Sequence, residues 1–157
     1  MRRIKYIIIH SNLKPWYELG DEKDFHYVIH NGYDTEKQYE TRSCDKEKDG
    51  KVIQLKEDVE KSLIDKIGYL ALDVCLIGDH TKNSPTVHQI GSLHRLLNEK
   101  ITQYSILVPK ILSHLEALPL ILQDDYYFLS EKNRSNRLIC PGLFLDMKLI
   151  RYKIKNI

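Results

Sequence analysis

Two short apolar runs constrain this chain more than any other feature. Lys5 to His10 is rich in isoleucine and flanked by polar residues, and Leu70 to Ile77 is an almost unbroken apolar stretch ending at Gly78. Each reads as a buried central strand. After the second run comes a strong helix signal. Thr86 is placed to cap, Gln89 sits three residues on as a capping box, and Val87, Ile90, Leu93, Leu97 and Ile101 form an apolar stripe down to about Tyr104. Strand, strand, helix in that order predicts an α/β protein with alternating elements.

The remaining segments are read around that frame. Phe25–His30 is aromatic and β-branched, a further strand, and Asn31-Gly32 after it is a turn signal that makes Lys37–Arg42 its expected hairpin partner. Leu55, Val59, Leu63 and Ile67 recur every four residues and predict a helix over Lys56–Ile67. A short strand is expected within Tyr104–Pro109 and a closing helix over Leu143–Ile150. With 157 residues and no repeat or linker, the chain reads as one domain, residues 1–157.

Charge and cysteine content narrow the function classes. Lys plus Arg is 24 against 22 for Asp plus Glu, a net charge of +2 spread along the chain, which argues for no nucleic-acid partner. No stretch approaches the roughly 18 apolar residues of a membrane helix, so no membrane insertion is expected. The apolar part of the N-terminus is too short for a secretory signal. Cys44, Cys75 and Cys140 cannot all pair, which suits synthesis in a reducing compartment.

Among the polar residues, His10, His114 and Cys140 stand out. Two imidazoles and one thiolate suit a tetrahedral zinc ion with its fourth position open to water. Taken singly, each has a plainer reading. His10 ends a buried strand and suits a satisfied edge histidine, His114 follows an apolar segment, and a free cysteine such as Cys140 is commonly a small buried hydrophobe. Cys140-Pro141-Gly142 after the polar stretch Ser130–Arg137 places that cysteine on a turn, whereas Cys75 lies in an apolar run and reads as core. His88 and His94 lie off the helix stripe and read as solvated, and His80 falls in a loop. His26 and His30 share a strand face with Val28.

The order of these motifs resembles the zinc-dependent N-acetylmuramoyl-L-alanine amidases, a group that includes the peptidoglycan recognition proteins. The matching pieces are Ile7-Ile8-Ile9-His10, Phe25-His26-Tyr27-Val28-Ile29 with Gly32, Val74-Cys75-Leu76-Ile77-Gly78, Pro85-Thr86 with Gln89, Ser92 and Leu93, Ser113-His114-Leu115-Glu116, and Cys140-Pro141-Gly142. They run in the family's order from about Ile4 to Leu149. The resemblance implies an α/β fold with a mixed central β-sheet flanked by helices, that His10, His114 and Cys140 hold Zn2+, and that the substrate is the amide between muramic-acid lactate and L-alanine in peptidoglycan.

The chain departs from the family pattern at its helper positions. Phe25 stands where members usually carry a tyrosine, Cys75 where others carry a glutamate, and Leu138 where a lysine or threonine commonly lies. The usual stretch before the central strand is replaced by Gly68-Tyr69-Leu70-Ala71, and Asp124-Asp125-Tyr126-Tyr127-Phe128 is inserted. An active amidase would therefore draw its proton donor or acceptor from His26, Tyr27, Glu116, Arg137 or a group on the inserted segment. The alternatives are a zinc-containing peptidoglycan-binding relative with little turnover and a relative that keeps the fold for a protein partner. A wall-directed protein without a Sec signal is expected to act at the cell wall or periplasm after release or delivery.

Overall fold

The computed structural model describes residues 4–18, 24–64, 67–117 and 145–155. Its frame is a five-stranded sheet of β1 (Tyr6–Ser11), β2 (Tyr27–Ile29), β3 (Val52–Gln54), β4 (Ala71–Leu76) and β5 (Ile111–Ser113). The order across the sheet is β3-β2-β4-β1-β5. β1 pairs in parallel with both β4 and β5, β2 pairs in parallel with β4, and β3 runs antiparallel to β2. Both apolar runs occupy the middle of this mostly parallel sheet. A parallel strand is covered on both faces, so its sequence is continuously apolar and does not alternate.

α2 (Val87–Tyr104) begins as expected, with the Thr86 hydroxyl accepting from the Gln89 N–H and the Gln89 side chain accepting from the Thr86 N–H. It packs Leu93 and Leu97 against Ile7, Ile9, Ile29, Leu72, Val74 and Leu76 on one sheet face. α4 (Met147–Lys155) adds Ile150 and Ile154 to the same core; it overlaps the helix expected over Leu143–Ile150 from Met147 to Ile150 and runs on to Lys155. The alternate residues face the other way. Ile8, Ala71, Val28 and Cys75 join two smaller clusters there with Ile64, Ile67, Tyr17 and Ile77.

Three local expectations are corrected. Lys37–Arg42 is not the hairpin partner of β2: Thr35 caps the short helix α1 (Glu36–Glu40), and β3 takes the pairing position. The reach back is closed by Gly50 N–H donating to His30 O and His30 N–H donating to Lys51 O. The strand expected within Tyr104–Pro109 is displaced to β5, after a 3-10 turn at Val108–Lys110 that accommodates Pro109. Among the described residues, Lys56–Ile67 contains no α-helix. Its polar groups are engaged by other elements: Asp58 by Tyr27, Lys100 and Tyr104, Glu60 O by His26, and Ser62 and Leu63 N–H by Asp73. Tertiary partners for that backbone outweigh a weak four-residue periodicity. Val59, assigned to the apolar stripe by spacing, is 58 % exposed.

Candidate functional site

The pairing of β1 with β5 brings together two histidines 104 positions apart. Ile9 lies opposite Ser113 in the register, so His10 near the end of β1 neighbours His114, the first residue of α3 (His114–Ala117). Both side chains are buried. Their Nδ1 atoms are 3.3 Å apart, and the rings meet edge to face with centroids 4.9 Å apart. Two nitrogens on a tetrahedral ion with Zn–N bonds near 2.05 Å are separated by about 3.3 Å. The facing nitrogens thus have the spacing of two metal ligands.

The other nitrogen of His10 is held from β4. His10 Nε2–H donates to Asp73 Oδ1 at 2.7 Å. Asp73 Oδ2 accepts from the Ser62 hydroxyl and from Leu63 N–H, each at 2.8 Å. Burial alone would raise the Asp73 carboxyl. The bond from His10 outweighs it, aided by Leu63 N–H and the Ser62 hydroxyl, and holds the group below its ordinary value. Asp73 is the residue that sequence reasoning missed. The available signal is that it is the only charged side chain in the run Leu70–Ile77, and a buried carboxylate in a central strand requires partners.

The proton-handling candidates are placed less favourably. His26 adjoins the pair but has both ring nitrogens committed: Nδ1 accepts from Asp73 N–H and Nε2–H donates to Glu60 O, both at 2.9 Å. Burial keeps it neutral, with its pKa below 6.5. Tyr27, one residue on, faces the opposite side of the sheet. Its hydroxyl donates to Asp58, Lys100 lies over its ring at 5.0 Å, and burial with the Asp58 bond pushes its pKa up to about 12. Strand parity places Tyr27 on the sheet face opposite His10.

Glu116 forms two parallel bonds with the Arg151 guanidinium, each 2.9 Å, and accepts from Ser113 N–H. Burial would raise its carboxyl, but Arg151 and Ser113 hold it below the usual range. These bonds tie α3 to α4 through Arg151. Phe25 lays its ring against His10 with centroids 5.1 Å apart, an apolar wall on the pair. Cys75 is buried as read, while His80, read as a loop residue, is 2 % exposed, and His94 is half-buried where solvation was expected. Cys140, Arg137 and the inserted Asp124–Phe128 lie outside the described residues. Among the described residues no group of three or more His, Cys, Asp or Glu side chains is gathered as a metal cluster, so the two imidazoles are the part of the expected ligand set that is in view.

The mixed five-stranded sheet with helices packed on it has the fold of solved N-acetylmuramoyl-L-alanine amidases and peptidoglycan recognition proteins. The chain is similar to N-acetylmuramoyl-L-alanine amidase LysC from Clostridium intestinale URNW, with a TM-score of 0.66 and 13% identity over 98% of this chain and 86% of that one. It is similar to the Ph2119 endolysin from Thermus scotoductus MAT2119 bacteriophage Ph2119, with a TM-score of 0.59 and 14% identity over 98% and 86% of the two chains. The Drosophila peptidoglycan recognition protein SD gives a TM-score of 0.58 and 14% identity over 96% and 82%. At such identities the likeness is one of fold. No protein-family model and no curated protein sequence matches the chain.

Proposed function

We propose that this chain is a zinc-dependent N-acetylmuramoyl-L-alanine amidase that cleaves peptidoglycan, with zinc held by His10, His114 and Cys140. The observation that carries the reading is the pair of buried Nδ1 atoms 3.3 Å apart at the ends of β1 and β5 in an amidase-type sheet. Bound zinc supplies a water of lowered pKa and polarises the scissile carbonyl. The chain's own contribution is to bury both imidazoles and to hold the His10 ring between Asp73 and Phe25. His26 supports the site through backbone bonds to β4 and to the segment 57–63. His26, Tyr27 and Glu116 are engaged as described; Arg137, a permanent cation, suits stabilising the developing oxyanion and not proton transfer, for which a group on the inserted segment is the further candidate. Among the described residues no helix is long and apolar enough to cross a membrane, which is compatible with action at the cell wall.

Purified protein is expected to bind one zinc per chain, and His10→Ala, His114→Ala and Cys140→Ser to lose it. Incubation with purified peptidoglycan is expected to release peptides with free N-terminal L-alanine. Failure to bind zinc overturns the metal assignment. Zinc binding without peptide release would instead assign peptidoglycan binding without turnover.

A further inference from the structure

We infer that Asp73 is a positioning residue that locks His10 in the Nε2–H tautomer, leaving the Nδ1 lone pair to serve as the metal ligand. The inference rests on the zinc reading above for its consequence, but its physical basis is independent of any ion. Three groups converge on the Asp73 carboxylate: His10 Nε2 at Oδ1, and the Ser62 hydroxyl and Leu63 N–H at Oδ2. A carboxylate only accepts, and Leu63 N–H can only donate. His10 must therefore present a proton at Nε2. In a neutral ring this leaves Nδ1 bare, and Nδ1 is the atom facing His114. Second-sphere partners of this kind orient ligand imidazoles and raise their basicity.

The carboxylate is itself held. It has no exposed surface, β4 fixes its backbone in the sheet centre, and Asp73 N–H and C=O both bond His26. Ser62 and Leu63 approach from the segment that adopts turns where a helix was predicted. The irregular path of that segment thus has a use: a helix there would turn its N–H groups inward and could not offer the Leu63 N–H to a neighbouring strand.

Asp73→Asn is the informative variant because it keeps the shape and changes the donor pattern. Leu63 N–H needs an oxygen, so the amide oxygen turns to it and the amide NH2 turns to His10. His10 must then accept at Nε2 and carry its proton on Nδ1. The experiment has two readouts. Long-range 15N NMR of metal-free protein, at a pH where the ring is neutral, reports which His10 nitrogen is protonated. Competition with a chromogenic chelator reports zinc affinity.

Wild type is expected to show a protonated Nε2, the variant a protonated Nδ1, and zinc binding is expected to weaken by about 10- to 100-fold. A wild-type ring protonated at Nδ1 overturns the inference, even if the variant does not fold. So does a variant with an unchanged tautomer and zinc affinity within about twofold of wild type. Wild type that binds no zinc but carries the Nε2 proton, with the switch in the variant, removes the zinc reading and sustains the Asp73 lock.

Discussion

Asp58→Ala is expected to be among the most damaging single substitutions outside the sheet. Asp58 lies in the turn segment that precedes Ser62 and Leu63, and it fastens that segment to α2. Its Oδ2 accepts from Lys100 Nζ at 2.9 Å and from the Tyr104 hydroxyl at 2.6 Å, while Oδ1 accepts from Tyr27. The Lys100 and Asp58 side chains are only 8 % and 12 % exposed. Removing one member of a buried pair usually costs 3–5 kcal/mol, roughly, because the other charge stays buried. Lys100 keeps Gln103 Oε1 at 3.2 Å and Glu99 Oε1 at 3.6 Å, so part of that penalty is relieved. The expected loss is about 2–4 kcal/mol, a large share of a typical 5–15 kcal/mol stability.

Lys100→Met leaves Asp58 with both tyrosine hydroxyls and is expected to cost less. The double variant should recover about 1–2 kcal/mol relative to the sum of the singles. Urea unfolding at constant slope measures all four corners of the cycle. Amide exchange at Leu63 should also accelerate in Asp58→Ala if the same anchor steadies the segment that holds Asp73. A loss below about 0.5 kcal/mol, or additive single effects, would refute the reasoning.

Two further outcomes are expected. Gln89, 1 % exposed, donates to Ile29 O at 3.0 Å and Ile77 O at 2.8 Å and accepts from Thr86 N–H. Gln89→Met keeps the length but strips these bonds and should cost about 2–4 kcal/mol in urea unfolding, with a loss under 1 kcal/mol counting against it. His26 and His80 are both held below their ordinary 6.5 by burial, so the unfolded chain binds more protons than the folded one below that pH. Stability should be fully present above pH 6.5 and decline as pH falls through it. The urea midpoint of chelator-treated protein should therefore drop between about pH 7.5 and about pH 5.5, and a flat or rising profile would contradict the assignment.

Much of the frame could be read locally. β1, β4 and α2 were predicted within a residue or two because long apolar runs and a capping box act over short range. The parity that sets His26 and His30 beside Val28 follows from the two-residue period of a strand. The same period should have turned Tyr27 away from the site. Segments with weak periodicity were misread where distant groups claimed their backbone, as Asp73 and His26 claim residues 60–63.

By itself, the sequence determined an α/β chain with two central strands, one strongly capped helix and a histidine and cysteine set in an amidase-like order. Only the tertiary structure decided which groups meet. β5 beside β1 brings His114 Nδ1 to 3.3 Å from His10 Nδ1, and β4 on the other side brings Asp73 to the far nitrogen of the same ring. Neither contact has a local signature, because hydrogen bonds across a sheet depend on strand order and register, and these are settled by burial of the whole core.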